Sequence, residues 1–125
     1  NYGWPVIGFG VNYRSGSNIH AGTTRAGMEQ PVKVWVPSIA TSGLVEYTGN
    51  AFPGWRGSIL SGGLVGEVLW RLKVENGRVT EEEQLYSRRG RIRDVRQGPD
   101  GFVYLAIEDR MGAPTNLVRL EPVAR

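Results

Sequence analysis

The sequence predicts an all-β fold assembled from short antiparallel strands. Glycine accounts for 18 of the 125 residues, about twice its usual share, which favours many tight turns and argues against a helical bundle. Two dipeptides, Asn76-Gly77 and Asp100-Gly101, are the strongest short-range signals for β-hairpins. Apolar segments of strand length lie on either side of both dipeptides, so we expect at least two hairpins.

The first predicted strands lie between residues 31 and 62. Pro31–Val36 alternates between apolar and polar side chains and is bounded by prolines, a pattern typical of a short strand. Ser38–Thr48 is expected to follow as a strand that ends at the Gly49-Asn50 turn. A short apolar segment at Ser58–Gly62 predicts the next strand.

The Asn76-Gly77 hairpin is predicted to join strands at Glu67–Val74 and Arg78–Tyr86. Glu81, Glu82 and Glu83 are helix formers, but the segment is short and has no capping residue, so we expect it to remain a strand. Consecutive carboxylates on an outer strand discourage pairing with other molecules, which makes this an exposed sheet edge.

The Asp100-Gly101 hairpin is predicted to join strands at Arg91–Gln97 and Phe102–Ile107. Leu117–Glu121 is the last apolar segment of strand length and Pro122 ends it. The C-terminal part of the chain is therefore expected to form a sheet of three strands.

A weak internal repeat indicates how these strands are grouped. Gly57 and Gly101 are 44 residues apart in similar contexts, and Leu69 and Leu117 are 48 apart. Repeats in the forties with a few short strands each are typical of β-propeller blades. At about 40 to 45 residues per blade, 125 residues cannot close a ring of four or more blades. We expect the C-terminal part of a longer propeller, with the missing strand supplied from upstream of Asn1.

Composition excludes several other classes of protein. The chain has no cysteine, which excludes disulfides and thiolate metal sites, and its apolar runs fall far short of the roughly 20 residues of a membrane-spanning helix. The formal net charge is +3, and thirteen of the fifteen basic residues are arginine. Arginine is preferred where planar anions are held by paired hydrogen bonds or where carboxylates are paired.

Several motifs together resemble one enzyme family. They are Asn1–Pro5, Gly10–Tyr13, Gly27–Pro31, Pro37–Ala40, Phe52–Gly57 and Arg91–Gly101. The combination resembles the soluble glucose/sorbosone (aldose sugar) dehydrogenases that depend on pyrroloquinoline quinone (PQQ). The resemblance implies a six-bladed β-propeller, of which this chain would be the C-terminal two to three blades. Residues 1–30 would form a loop region on the cofactor and calcium side, residues 31–86 one blade, and residues 87–125 the last blade, which lacks one strand.

Arg91 and Arg93 are the leading candidates for a binding site. Residues two apart in a strand share a face, so the two guanidiniums would lie side by side with Ile92 and Asp94 on the opposite face. Adjacent like charges are costly unless an anion compensates them. The compensating anion is either a carboxylate on a neighbouring strand or a planar ligand. The resemblance implies the ligand, since the matching pair contacts PQQ, a planar quinone with three carboxylates.

The resemblance also implies roles for three other residues. Tyr13 would line the cofactor, where an aromatic face stacks on a conjugated ring. Tyr2 would help to hold Ca²⁺ through its backbone carbonyl, with an acidic partner from upstream of this chain. Val65 stands where the family often has a cofactor-contacting lysine. Either backbone groups of residues 63–65 replace that contact, or cofactor affinity is lower, or another ligand is bound.

The reaction that the resemblance implies is oxidation of an aldose at its anomeric carbon by hydride transfer to PQQ. The family's catalytic histidine lies upstream of this chain, and His20 does not match it, so we expect His20 to be a solvated loop residue. The intact protein would use an aldose and an electron acceptor, pair with the remainder of the propeller, and work in the periplasm or outside the cell. The fragment alone would be inactive.

Other functions are weighed against this one. A non-enzymatic propeller that binds a ligand without the cofactor is the main alternative, and Val65 favours it. A hydrolase would need acids or histidines that the sequence does not offer. Five arginines fall within residues 88–96, but Asp94 interrupts them and no aromatic residue interleaves, which argues against nucleic-acid binding. Unpaired strand edges predict that the isolated chain self-associates.

Overall fold

The computed structural model describes residues 1–123, which form two compact units, residues 1–36 and residues 37 onward. All of the strands lie in the second unit. They are β1 Thr41–Glu46, β2 Ile59–Gly63, β3 Val68–Glu75, β4 Arg78–Ser87, β5 Arg91–Gln97, β6 Val103–Glu108 and β7 Asn116–Leu120, with a 3₁₀ turn at Pro53–Trp55 between β1 and β2.

The first sheet has four antiparallel strands in the order β1-β2-β3-β4. Asn76 and Gly77 join β3 to β4 with φ angles of 52° and 72°, and two positive φ values are what a two-residue hairpin turn requires. β4 extends through Glu81 to Glu83 and its side chains are mostly exposed. The hairpin and the acidic outer strand were predicted correctly.

The second sheet has three antiparallel strands in the order β5-β6-β7. β6 is central, and β7 pairs with it from Val103 opposite Leu120 to Ile107 opposite Asn116. Within residues 1–123 no further strand pairs with β7, so its outer edge is free. The predicted three-stranded last sheet is confirmed, and so is the all-β fold class.

The core lies between the two sheets. Its centre is a set of side chains with no solvent exposure, namely Tyr47, Leu60, Leu69, Ile92, Val95, Val103 and Leu105. Close approach of the sheets depends on small residues of the first sheet. A Cβ atom at Gly62 would lie 2.7 Å from Cγ2 of Ile92, and one at Gly43 would lie 2.4 Å from the backbone nitrogen of Val95. Glycine at these two positions therefore sets the distance between β5 and the first sheet.

Polar contacts also join the two sheets. The Ser42 hydroxyl donates to the carbonyl of Ile92. One side-chain oxygen of Gln97 accepts the backbone N–H groups of Thr48 and Gly49, at 2.8 and 3.0 Å. The segment after β1, in which Gly49 is buried and Thr48 exposed, thus has a hydrogen-bond partner on the second sheet.

An aromatic cluster surrounds the 3₁₀ turn, and neither the turn nor the cluster was predicted. Phe52 and Trp55 are stacked with ring centroids 4.0 Å apart and planes 9° apart, and both rings meet Tyr47 edge-on. Pro53 occupies the first position of the turn, where its missing N–H costs nothing. The motif at residues 52–57 therefore has a packing role of its own.

Residues 1–36 contain one isolated β-bridge, between Val11 and Asn18, and are otherwise built from turns. The predicted strand at Pro31–Val36 is wrong, because no strand or bridge is found in this segment. Alternating side chains produce a strand only when a neighbouring strand bonds to the backbone, and Val32 and Val36 are exposed instead of facing a core.

No helix within residues 1–123 combines the length and the apolar character needed to cross a bilayer.

Candidate functional site

The start of β5 and the end of β6 lie at one end of the second sheet. The β2–β3 turn lies at the end of the first sheet that adjoins it. Arg91 is opposite Glu108 in the β5–β6 ladder, and Gly63 is opposite Val68 in the β2–β3 ladder. Arg110, just after β6, contacts Val65 in the β2–β3 turn, which shows that the two ends adjoin. We call this the Arg91 end of the sheets.

Arg91 and Arg93 share one carboxylate at this end. Nε and Nη2 of Arg93 each lie 2.6 Å from Oε2 of Glu108, and Nη1 of Arg91 lies 3.4 Å from the same oxygen. The side chains of Arg91, Arg93 and Glu108 are 33%, 46% and 32% exposed. The two guanidiniums are therefore adjacent, as predicted, and both remain accessible to a ligand.

A β-bulge lies at Arg93. The register passes from Ile92 opposite Ile107 directly to Asp94 opposite Ala106, so Arg93 is an extra residue without a partner in the ladder. Ile92 and Val95 consequently both face the core, three residues apart. The expectation that Asp94 shares the face of Ile92 is wrong, because the bulge shifts the alternation of side chains by one residue.

Asp94 belongs to a separate ion pair further along β5. Its carboxylate accepts a 2.8 Å hydrogen bond from Nε of Arg96 and a second bond from the backbone N–H of Val95. The Arg96 hydrogen bond holds the pKa of Asp94 below its ordinary value, against the opposing effect of partial burial. Asp94 is therefore committed to Arg96, and the charge that faces Arg91 and Arg93 is that of Glu108.

The charges around Glu108 do not balance. Two guanidiniums carry two positive charges, and one carboxylate oxygen serves both. Of the two compensating anions considered above, a carboxylate on a neighbouring strand or a planar ligand, the strand carboxylate is present on β6. Because a guanidinium has five N–H donors, this single carboxylate leaves most of them unused. The donor set that remains suits a planar anion with more than one carboxylate.

A groove adjoins the arginine pair. Arg93 and Glu108 line it together with Ala106, Ile107, Thr115, Asn116 and Leu117, and its volume is about 350 Å³. Small-molecule sites usually occupy about 300 to 1,000 Å³ and combine apolar walls with a few polar groups. This groove has both features, with the guanidinium, the carboxylate, a hydroxyl and an amide on its polar side.

Val65 lies at the same end, in the turn between β2 and β3. Its side chain is 62% exposed. Its backbone N–H donates to the carbonyl of Ile39, and Leu64 N–H donates to that of Ala40, which anchors the turn to the segment before β1. The turn therefore presents an apolar side chain where the resemblance led us to consider a lysine.

Tyr2 lies in a loop of the first unit. The carbonyls of Asn1, Gly3 and Pro5 accept hydrogen bonds there, whereas no hydrogen bond described in residues 1–123 uses the carbonyl of Tyr2. That oxygen is chemically suited to a hard cation such as Ca²⁺. No group of three or more histidine, aspartate or glutamate side chains is placed to hold a metal within residues 1–123, so Tyr2 could supply only part of a metal site.

Tyr13 lies at the tip of a tight loop in the first unit. Asn12 caps this loop, since its side-chain oxygen accepts the N–H groups of Arg14 and Ser15. The Tyr13 side chain is fully exposed, which leaves its ring face open to stack on a planar ligand. Both tyrosines thus belong to the first unit, whereas the Arg91 end belongs to the second.

His20 lies in a loop of the first unit, as expected, where it is half-buried and makes specific contacts. Its Nδ1 lies 2.7 Å from the carbonyl oxygen of Pro5, and its ring meets Trp4 edge-on at 5.0 Å. A Cβ atom at Gly8 would lie 2.5 Å from the imidazole ring, so this glycine makes room for it. The polar residues around His20 in the sequence carried no signal for these contacts.

A sequence profile of the glucose/sorbosone dehydrogenases matches residues 1–119. The chain is similar to the aldose sugar dehydrogenase YliI of Escherichia coli K12, with 39% identity over 125 residues. It is also similar to the uncharacterized protein slr1608 of Synechocystis sp., with 40% identity over 121 residues. Among solved structures, a glucose dehydrogenase superposes with a TM-score of 0.87 and 38% identity.

These matches cover nearly all of this chain and a minor part of its relatives. The alignments span 98% of the chain and 33% of YliI, 97% of the chain and 29% of slr1608, and 98% of the chain and 36% of the glucose dehydrogenase structure. The chain thus spans about a third of the length of the curated relatives it matches.

Proposed function

Because the chain belongs to the glucose/sorbosone dehydrogenase family, we propose that it forms part of a PQQ-dependent sugar dehydrogenase that oxidises an aldose at its anomeric carbon. The family relationship supports the sugar and the oxidation. The observation that supports the cofactor is the pair Arg91 and Arg93, which offers two accessible planar donors against a single carboxylate.

In this proposal the two arginines bind carboxylates of PQQ. When bound, PQQ would supply the two-electron acceptor for the hydride that leaves the anomeric carbon. Arg91 and Arg93 would fix the orientation of the planar ring through paired hydrogen bonds, which an ammonium group could not do. Glu108 would limit the repulsion between the two guanidiniums in the absence of ligand and would compete with the bound anion for their N–H groups.

Tyr13, Tyr2 and Val65 have supporting roles in the proposal. The exposed ring of Tyr13 would stack on the cofactor, and the Tyr2 carbonyl would be one of several Ca²⁺ ligands, the others coming from outside these 125 residues. Val65 would contact the cofactor through its apolar side chain or its backbone. None of these residues is proposed to transfer a proton.

The proton acceptor for the sugar hydroxyl would come from residues outside this chain. His20 is a poor candidate, since one ring nitrogen is hydrogen-bonded to the Pro5 carbonyl and the ring packs against Trp4. The electron acceptor and a periplasmic or extracellular location are proposed on the family relationship alone. The isolated 125-residue chain would lack activity.

The alternative is a propeller that binds a ligand and performs no reaction. Val65 is the observation that favours it, because the turn has no positively charged side chain of its own to hold an anionic cofactor. In this case the Arg91 end would bind another carboxylated molecule. The two functions differ in whether the protein reduces an artificial electron acceptor in the presence of sugar.

The test uses the intact polypeptide that contains these residues, reconstituted with PQQ and Ca²⁺. Binding is followed by the quinone absorbance and activity by dye reduction with a panel of aldoses. The double variant Arg91→Ala/Arg93→Ala should lose PQQ affinity by at least about 100-fold, given about 1.5 to 3 kcal/mol for each hydrogen bond to a charged group. Arg96→Ala is the matched control, because Arg96 lies on the same strand and pairs with Asp94.

Each result bears on a different part of the proposal. Failure of the intact wild-type protein to bind PQQ would exclude it. PQQ binding without oxidation of any aldose would support the non-enzymatic alternative. Equal PQQ affinity in the wild type and the double variant would assign the cofactor to other residues.

A further inference from the structure

A tight turn follows Tyr2 in the first unit. The Gly3 carbonyl accepts the N–H groups of Val6 and Ile7, at 2.6 and 3.0 Å. Gly3 is buried and has a φ angle of 83°, and a Cβ atom at this position would lie 2.2 Å from Cγ1 of Ile7. The Tyr2 carbonyl belongs to the peptide bond that joins Tyr2 to Gly3, so its direction depends on the conformation of this turn.

His20 holds the turn at its middle residues. Its Nδ1 lies 2.7 Å from the carbonyl oxygen of Pro5, and its ring meets Trp4 edge-on. Because a carbonyl oxygen only accepts, Nδ1 is the protonated nitrogen and donates this bond. The segment that carries His20 is itself anchored, since the N–H of Gly8 donates to the carbonyl of Gly22 at 3.1 Å.

The Tyr2 carbonyl lies between two backbone groups that are already fixed. The Asn1 carbonyl accepts the N–H of Glu29 at 2.8 Å, and the Gly3 carbonyl closes the turn. No hydrogen bond described in residues 1–123 uses the carbonyl oxygen of Tyr2 or of Trp4. An oxygen that is held in place but has no donor is a preorganised ligand for a hard cation, because little ordering is required when the cation binds.

We propose that His20 is a positioning residue, which fixes the turn after Tyr2 in the conformation that offers the Tyr2 carbonyl to Ca²⁺. The metal itself rests on the function proposed above. The contribution of His20 is the hydrogen bond from Nδ1 to Pro5, and His20 acts on the metal only through the turn. Without this bond, fewer molecules would hold the turn in its binding conformation, and the apparent affinity for Ca²⁺ would fall by the same fraction.

The experiment titrates Ca²⁺ by calorimetry into the metal-free intact polypeptide and compares His20→Asn with His20→Leu. The two new side chains are similar in size and both lack the imidazole ring, but only asparagine has an N–H donor near the place of Nδ1. His20→Leu should bind Ca²⁺ about fivefold more weakly than the wild type, the effect of losing one hydrogen bond between neutral groups. His20→Asn should stay within about twofold of the wild type. The matched control is Ile19→Ala, which shortens the neighbouring, exposed side chain and should leave the affinity unchanged.

Terbium locates the bound metal. Tb³⁺ occupies oxygen-ligand calcium sites and luminesces when an indole close to it absorbs light. Trp4 is two residues from Tyr2, so Trp4→Phe should lower the luminescence of bound Tb³⁺ while its affinity stays the same. Unchanged luminescence in Trp4→Phe would place the metal away from this turn and overturn the inference.

Melting of the metal-free variants separates metal binding from folding. A lower melting temperature for His20→Leu with unchanged affinity for Ca²⁺ would give His20 a purely structural role, overturn the inference and leave the proposed function standing. Equal losses of affinity in His20→Leu and His20→Asn would overturn the hydrogen bond as the positioning contact. A wild type that binds no Ca²⁺ would overturn both the inference and the calcium role of Tyr2, whereas the PQQ titration described above tests the cofactor separately.

Discussion

The hydroxyl of Tyr47 donates a 2.8 Å hydrogen bond to the carbonyl of Gly101, a residue 54 positions away in the other sheet's hairpin turn. The same hydroxyl accepts the backbone N–H of Phe52 at 3.0 Å. Tyr47 has no solvent exposure, so water cannot replace either partner. One phenol group thus ties the segment after β1 to the second sheet and to the aromatic cluster.

Replacing Tyr47 with phenylalanine should reduce the free energy of unfolding of the intact protein by about 1 to 3 kcal/mol. The ring packing would be retained, while the Gly101 carbonyl and the Phe52 N–H would lose their partner. Chemical denaturation measures the difference. Tyr13→Phe is the control, because that hydroxyl is fully exposed, and an equal effect of both substitutions would refute the assignment.

Gly62→Ala should destabilise the protein by about 1 to 3 kcal/mol, the usual cost of overpacking a core. The added methyl would lie 2.7 Å from Cγ2 of Ile92 and 3.2 Å from Cγ2 of Val95, so β5 would have to move. Gly54→Ala is the matched control, since nothing lies within 4 Å of the place its methyl would occupy and its φ is not positive. Thermal melting of the two variants should differ clearly, and similar melting temperatures would contradict close sheet contact at Gly62.

Glu108→Gln should increase the affinity of the intact protein for PQQ by about threefold to tenfold at low salt. The substitution keeps the size of the side chain but removes the negative charge that competes with a bound anion for Arg91 and Arg93. The control is Glu75→Gln, which neutralises a carboxylate paired with Lys73 at the last residue of β3 in the first sheet. Weaker binding in Glu108→Gln would mean that Glu108 contributes mainly by orienting the guanidiniums.

Acid stability should depend on Asp100 and Tyr104. The Tyr104 hydroxyl donates a 2.6 Å hydrogen bond to the Asp100 carboxylate, and this bond holds the pKa of Asp100 below its ordinary value of 3.8. A lowered pKa in the folded state contributes stability above pH 3.8, and that contribution is lost as the pH falls through the lowered value. Tyr104→Phe should therefore lose less stability than the wild type between neutral pH and about pH 2.

Urea denaturation at a series of pH values tests this directly. Asp94, whose pKa is also lowered, titrates in the same acidic range but is present in both proteins, so the difference between them reports on Asp100. Parallel stability curves for the wild type and Tyr104→Phe would show that the hydrogen bond has no role in acid unfolding.

The isolated 125-residue chain should elute from size-exclusion chromatography as a species larger than its 13.8 kDa monomer. The outer edge of β7 is free within residues 1–123, and Leu117 on this strand is 73% exposed. Unpaired edges with exposed apolar side chains favour strand pairing between molecules. Leu117→Lys should reduce the association, whereas a soluble wild-type monomer would contradict the prediction.

The strands could be predicted because their signals are local. Asn76-Gly77 and Asp100-Gly101 favour turn conformations that few other residues adopt. Such a turn brings the apolar segments on its two sides next to each other as antiparallel strands. Pro31–Val36 shows the limit of this reasoning, since its alternation is as clear as that of the true strands. A segment of this kind becomes a strand only if a neighbouring strand bonds to it. Whether such a neighbour exists depends on the whole fold and cannot be read from the segment itself.

The candidate site was predictable only in part. The spacing of Arg91 and Arg93 identified the two guanidiniums, but counting back from Gln97 opposite Val103 without a bulge would place Arg91 opposite Asp109. The bulge moves it to Glu108. The one available signal was that Ile92 and Val95 are both apolar but three residues apart, which a regular strand cannot bury on one face. The contacts of Arg110 with Glu67 and Val65 join distant segments and left no pattern in the sequence.

The unpaired position of Arg93 means that the sheet does not need this residue. Were it deleted, Ile92, Asp94 and Val95 would follow one another in regular alternation, with their present partners on β6 unchanged. The shortened strand should form the same core while lacking one guanidinium. Deleting Arg93 would therefore test ligand binding with less change to the packing of the sheet than a substitution would cause.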